Sequence, residues 1–493
     1  MLENMTSSAF FLTTKIKHLR IKISMGGKNN MKNKEFPKDF LWGASTSAFQ
    51  VEGGFNEERG IANSDMRHIP NGLADYKTAS DHYHHVKEDV QLMKELGMKV
   101  YRFSFFWSRI MPDGENVSQK GLDFYHELID ALLENGIQPF PTLYHFEMPY
   151  ALIEKYGGWR SRKCVDAYVK YAKICFKEFG SKVKMWATIN EQMCATAPDD
   201  MNMNLEKDPH LRQKTLYQMS YHMTLAEKIA TSYFKELVPD GKIGHVVAMQ
   251  VIYPATSAPE DVLAAKNAED EVQWSFLDLS IKGHYSHHFT KYLKDRGVYP
   301  KMNEEDLHYL KENHPDFIGV NYYASCTVRA KYPDDKCTRM PPFYISDQFY
   351  VVNNEKLKPT EWMHFGIDPD GLYVGLRNLY DRYELPMIIT ENGMAYTDKI
   401  EEDGTINDIY RIDYLSKHID QCYKFVEEGY PLFGYCPWSF LDVVSSHEGF
   451  NKRYGLVYVD RTNTDVKSCA RIKKNSFYWY QSIIKNNGLY EGE

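Results

Sequence analysis

Glu191 and Glu391 each close a short apolar run, Met185-Trp186-Ala187-Thr188-Ile189-Asn190 and Met387-Ile388-Ile389-Thr390. An ionised carboxylate beside a hydrophobic core is costly unless it is paired or put to chemical use. Glycosidic bond cleavage needs two such groups facing each other, one protonated to assist the leaving oxygen and one ionised to meet the anomeric carbon. The plainer reading is that each Glu caps the helix after it. What separates the readings is whether neighbouring apolar runs also end in polar or amphipathic residues. They do: Gln50, Arg102, His145, Asn190, Asn321, Tyr323 and Trp438 all lie in or just past such runs.

From Phe36 onward, short β-rich runs alternate with longer amphipathic stretches, and no linker or low-complexity block intervenes. The runs predict eight strands, at Phe40–Thr46, Lys99–Phe105, Gln138–His145, Val183–Asn190, Lys242–Gln250, Phe317–Tyr323, Met387–Glu391 and Leu432–Trp438. Between them, Ala79–Leu96 and Gly121–Asn135 show helical spacing closed by Gly97 and Gly136. This order predicts the α/β class: a single (β/α)₈ TIM barrel with long βα loops, its chemistry at the carboxyl ends of the strands. A doubly wound open sheet is the runner-up, but no G-x-G-x-x-G or P-loop follows a strand.

The net charge of −8 over 493 residues argues against a nucleic-acid binder, and the apolar stretch Ala9–Leu12 is too short to span a membrane. Eight cysteines without a C-x-x-C pair read as reduced thiols of a cytoplasmic protein. Residues 1–30 carry +4 against −12 for the remainder. They are expected to be translated upstream sequence or a disordered extension, with Met31 beginning a catalytic unit over 31–493. No cofactor motif occurs. His82-Tyr83-His84-His85 looks like a metal cluster, but successive helix positions point in different directions, so no metal is expected. Monomer and homo-oligomer both stay open.

Phe40-Leu41-Trp42-Gly43-Ala44-Ser45-Thr46-Ser47, Tyr101-Arg102-Phe103-Ser104, Asn190-Glu191, Val320-Asn321-Tyr322-Tyr323, Ile389-Thr390-Glu391-Asn392-Gly393 and Lys452-Arg453-Tyr454-Gly455 together resemble glycoside hydrolase family 1, from about Phe36 to Tyr480. The resemblance implies a barrel enzyme that cleaves β-glycosides with retention, Glu391 as nucleophile and Glu191 as acid and then base. Retention implies carboxyl groups roughly 5–5.5 Å apart. It also implies that Arg102 and Tyr323 hold Glu391, and that Gln50, His145, Asn190, Asn321 and Trp438 meet the sugar. Two departures are Gln192, where many members have Pro or Ile, and Phe146, where many have Trp. Gln192 is expected to alter hydrogen bonding around the acid.

The loop after the last strand speaks to the substrate. Members acting on unphosphorylated sugars usually carry Glu-Trp at the positions of Ser445-Ser446, the Glu binding the 4- and 6-hydroxyls. With Ser445 there, and Lys452 and Tyr454 following, the loop resembles the phosphate clamp of the 6-phospho-β-glycosidase branch. A hydroxyl and an ammonium can hold a 6-phosphate that a carboxylate would repel. Small Ser446 favours gluco over galacto. The expected partner is a small phosphorylated β-glucoside, cleaved to give glucose 6-phosphate. A 6-phospho-β-galactosidase or a β-glucosidase for neutral sugars are the alternatives. A non-catalytic sugar-phosphate sensor ranks last, because both acids are present.

Overall fold

The computed structural model describes residues 34–195, 206–336, 338–340, 344–362 and 366–490. The expected extension over residues 1–30 lies outside the described residues. Eight parallel strands close into a barrel: β1 (Leu41–Ser45), β2 (Val100–Ser104), β3 (Gln138–Tyr144), β4 (Met185–Asn190), β5 (Lys242–Ala248), β6 (Phe317–Asn321), β7 (Met387–Glu391) and β8 (Leu432–Tyr435). Each follows its predecessor around the ring, and β8 returns to β1. All eight predicted runs are strands, and their limits move least in β7. The largest shift is in β8, where Cys436–Trp438 leave the ladder and only a Ser45–Trp438 bridge continues it.

The strands are buried on both faces, which is why they read as nearly unbroken apolar runs. One face fills the barrel with Val100, Phe140, Met185, Ala187, Val246, Phe317 and Ile388. The other packs on the surrounding helices, with Tyr101, Phe103, Trp186, Ile318 and Ile389 among the contacts. These helices include α1 (His82–Leu96), α2 (Gln119–Glu134), α3 (Arg162–Phe179), α4 (Pro209–Leu237), α5 (Pro369–Tyr383), α6 (Ile409–Glu427) and α7 (Asn475–Asn486). α1 begins at His82 rather than Ala79, because Ala79 and Asp81 both take positive φ and break the helical path. Its end matches expectation, with Gly97 left-handed at φ 89°.

The long βα loops carry structure of their own. Val251–Pro254, Ser325–Ala330 and Phe349–Val352 form a three-stranded sheet from the loops after β5 and β6. Helix Pro259–Glu269 packs against it through Ala264, Ala265 and Ala268. The loop after β8 is braced from beneath by a buried charge network. Asp442 accepts from Arg453 at 2.7 Å, Lys474 at 2.6 Å and Gly455 N at 2.9 Å, so both buried cations of this network are paired. Arg453 is thus a structural anchor, whereas the adjacent Lys452 turns to the opposite, half-buried side.

Candidate active site

Arg102 is the hub of the barrel mouth. On β2 the side chains alternate, so Val100 and Arg102 enter the barrel while Tyr101 and Phe103 face the helices. Buried at the top, its guanidinium donates in three directions: Nε to Thr142 Oγ1 at 3.0 Å, Nη1 to Glu391 Oε1 at 2.5 Å and Nη2 to Asn190 Oδ1 at 2.6 Å. Tyr323 donates to the other Glu391 oxygen at 2.7 Å. Both Glu391 oxygens are therefore held by side chains from elsewhere, one on β2 and one just past β6, which sets aside helix capping as its role.

Glu191 is tied to the same network through Asn321. The Asn321 amide donates to Glu191 Oε1 at 2.8 Å and to Asn190 Oδ1 at 3.1 Å, while Thr390 donates to Asn321 Oδ1 at 2.6 Å. Two backbone irregularities aim these groups. The β4–β5 register shifts between Ala187 and Asn190, so both enter the barrel although three positions apart. Glu191 itself has φ 42°, a left-handed conformation that costs a non-glycine residue about 1 kcal/mol or more and turns the chain at the mouth.

The two acids differ in electrostatics. Burial first, then the Glu391 charge, pushes Glu191 up to about 7. Burial also raises Glu391, but the Arg102 guanidinium and Tyr323 hydroxyl oppose it. In such a coupled pair the single proton resides where fewer donors stabilise the anion, which is Glu191. Burial, reinforced by the Glu391 charge, keeps the Tyr323 phenol far above its usual range, so it stays a donor.

Around this pair, His145 accepts from Asn190 Nδ2 at 3.2 Å and stacks on Trp438 with ring centroids 5.8 Å apart. Burial, followed by Arg102, keeps it neutral. Gln50 is buried in the short helix Ala48–Val51. Its Nε2 donates to Val444 O at 2.9 Å and its Oε1 accepts from Ser47 at 2.6 Å. It thereby clips the first βα loop to the segment bearing Ser445. The Gln192 amide reaches α4, donating to Ser220 O at 2.7 Å and Thr224 at 3.0 Å.

Ser445, Ser446, Lys452 and Tyr454 form the rim beyond Trp438. Trp438, Val51 and Val443 make a small apolar cluster on which Tyr323 and Tyr454 both pack, joining the rim to the acids. Lys452 Nζ lies 5.8 Å from the Tyr454 ring centroid and 5.7 Å from that of Trp362. Its pKa is raised: burial works against the charge, and Tyr454 and Glu448 outweigh it. Ser446 is half-buried beside Ser445. Sequence reasoning missed Trp362, Thr142 and Glu448. No carboxylate stands at Ser445, but one reaches it from across the turn: Glu448 Oε2 accepts from Ser445 Oγ at 2.9 Å and lies 3.7 Å from Lys452 Nζ.

Of the histidines in the candidate metal run, His82 pairs with Asp89 at 2.7 Å, while His84 and His85 meet Asp81. Among the described residues no helix is long and apolar enough to cross a membrane.

A closed barrel with two carboxylates at its mouth, Glu391 buried and Glu191 half-buried, both tied into one hydrogen-bond network through Arg102, Asn190 and Asn321, has the arrangement of a glycosidase of the (β/α)₈ class. The model of glycosyl hydrolase family 1 matches residues 32–489, and the chain belongs to that family. It is 40% identical over 476 residues to the aryl-phospho-beta-D-glucosidase BglC of Bacillus subtilis, a match covering 92% of this chain and 98% of that protein. A phospho-cellobiase of Klebsiella oxytoca is 35% identical, with 92% and 99% covered. The family 1 b-glucosidase of Thermotoga maritima superposes with a TM-score of 0.83 at 35% identity, covering 94% of this chain and all of that one. The relatives thus include proteins named as phospho-glucosidases and one named as a b-glucosidase.

Proposed function

We propose that this protein hydrolyses 6-phosphorylated β-glucosides with retention, releasing glucose 6-phosphate. Glu391 attacks the anomeric carbon while Glu191 gives its proton to the glycosidic oxygen, and the aglycone leaves. With Glu391 esterified, its charge is gone and the Glu191 pKa falls. Glu191 then takes a proton from water as the water oxygen attacks the anomeric carbon and Glu391 departs as carboxylate. Arg102 and Tyr323 hold the nucleophile in its ionised form. Asn190 and Asn321 face the sugar, His145 offers it a neutral ring nitrogen, and Trp438 a flat apolar face. Gln50 is placed for the hydroxyls farther from the scissile bond.

The substrate class rests on one observation: Ser445 Oγ and Lys452 Nζ converge on a single anionic group, at present the Glu448 carboxylate. A hydroxyl donor and an ammonium that already hold one anion suit a phosphate at the sugar's 6-position, with Tyr454 alongside. Names of relatives such as the aryl-phospho-beta-D-glucosidase and the phospho-cellobiase favour the same substrate. A phosphorylated substrate accords with a cytoplasmic enzyme, where sugars phosphorylated on uptake accumulate. Small Ser446 favours the gluco epimer.

The test compares chromogenic β-glucosides and β-galactosides, each with and without a 6-phosphate. The phosphorylated glucoside is expected to have the highest kcat/KM, and Lys452→Ala to raise KM for phosphorylated substrates only. Better turnover of the neutral glucoside would overturn the assignment of the rim to phosphate.

A further inference from the structure

Glu448 sits in the tight turn that also carries Ser445. Ser445 N donates to Gly449 O at 3.2 Å, and Gly449 N returns a bond to Ser445 O at 3.1 Å. Gly449 has φ 58°, and a Cβ there would fall 2.0 Å from Asn463 Oδ1. That oxygen accepts from Phe450 N at 2.7 Å, and the same amide donates to Glu448 O at 3.2 Å. The backbone on both sides of Glu448 is therefore fixed, and its side chain is aimed inward, at Ser445 and Lys452. A carboxylate and a phosphate dianion cannot share one hydroxyl and one ammonium, because at that separation like charges repel strongly in a half-buried site.

We infer that Glu448 is a specificity-determining internal ligand of the rim: with no substrate bound its carboxylate occupies Ser445 and Lys452, and the 6-phosphate of an incoming substrate displaces it. This rests on the phosphorylated-substrate reading above. The exchange leaves Lys452 paired in both states, so the ammonium is never buried alone. The Glu448 side chain is 29% exposed, so solvent is within reach when it is displaced. Every anion entering the rim meets the same opposing equilibrium, which scales its apparent affinity by the fraction of molecules whose clamp is open. A sugar phosphate overcomes this with its contacts to the acids and to Trp438. Inorganic phosphate has no such contacts and is kept out. A neutral glucoside brings nothing to exchange and leaves Glu448 where it is.

The experiment uses the full chain with the chromogenic β-glucoside, with and without 6-phosphate, and inorganic phosphate as competitive inhibitor. Glu448→Gln is expected to lower KM for the phosphorylated substrate by about threefold to tenfold relative to that for the neutral one, and to lower the phosphate inhibition constant in proportion. Glu448→Asp, which keeps the charge but draws it back from Ser445 and Lys452, is expected to shift both in the same direction by less. If KM and the inhibition constant stay the same or rise in both variants, the inference is overturned. A rise confined to the neutral glucoside would also overturn it, assigning Glu448 to the sugar hydroxyls. Lys452→Ala separates the layers. If it leaves KM for the phosphorylated substrate unchanged, the phosphate assignment fails and takes this inference with it. If it raises that KM while Glu448→Gln does not lower it, only the role of Glu448 falls.

Discussion

Glu391→Gln replaces the nucleophile by its neutral isostere and should change the acidity of Glu191. In the wild type Glu191 is raised from 4.5 to about 7, by burial first and the Glu391 charge second. Since the charge is the smaller contribution, its removal should lower the Glu191 pKa by about one pH unit, roughly 1.4 kcal/mol. Arg102 acts in the same direction: without the carboxylate at 2.5 Å, its positive charge bears more fully on Glu191. The variant should therefore titrate at least about one unit lower. Carbon-13 NMR of carboxyl-labelled glutamate, with Glu191→Gln to assign the resonance, reads this directly. In the wild type the required acid is the protonated form, so kcat/KM should fall as pH rises through about 7. A Glu191 that still titrates near its wild-type value in Glu391→Gln would mean that burial alone sets its pKa, and the charge-driven change from acid to base would be refuted.

Tyr323→Phe removes the donor 2.7 Å from Glu391 and should reduce kcat/KM by about tenfold to a hundredfold, with the acidic limb of the pH profile moved upward because the nucleophile is then harder to ionise. An unmoved limb would count against Tyr323 as the group holding the charge. The KM for the phosphorylated glucoside should rise with added salt in the wild type and lose most of that dependence in Lys452→Ala, as a point-charge contact requires. Glu147 is buried, accepts from Trp107 N at 2.7 Å, and is pushed up to about 8 by burial. The folded state therefore binds its proton more tightly than the unfolded chain, and the stability that this confers is lost as pH rises through about 8. Glu147→Gln should thus gain in Tm relative to the wild type as pH is raised from about 5 to about 9, and a constant difference would refute it.

The barrel was legible because parallel strands buried on both faces leave nearly unbroken apolar runs, and here several runs carried, within them or at their ends, residues no core would choose. Arg102, Asn190, Asn321, Glu191 and Glu391 could be found for that reason. Their aim could not. Strict alternation from Ala187 would send Ile189 into the barrel and Asn190 out, and it is the register shift against β5 that reverses this. The positive φ of Glu191 has no residue-type signature, since it is the surrounding network that makes a glutamate tolerate it. Glu448 was overlooked for another reason. A rim defined by the loss of a carboxylate at Ser445 draws no attention to a second one reaching back across a turn. Gly449, two residues before Asn451, was the available sign that the chain doubles back there.

The site also explains why catalysis and substrate choice can be altered separately in this fold. The acids are fixed by strand ends: β6 meets β7 at Asn321 and Glu391, and Asn321 reaches across to Glu191 and Asn190 of β4. Their positions therefore depend on barrel closure, which no single loop can change. The rim depends instead on one turn between Val444, held by Gln50, and Arg453, held by Asp442. On the function proposed above, the residues at 445 to 452 between those anchors set the charge that the far end of the sugar meets, and the cluster of Trp438, Val51 and Val443 ties Tyr454 of the rim to Tyr323 beside Glu391. A change of charge there is therefore expected to alter the preferred substrate while leaving the pKa difference between Glu191 and Glu391 to burial, Arg102 and Tyr323.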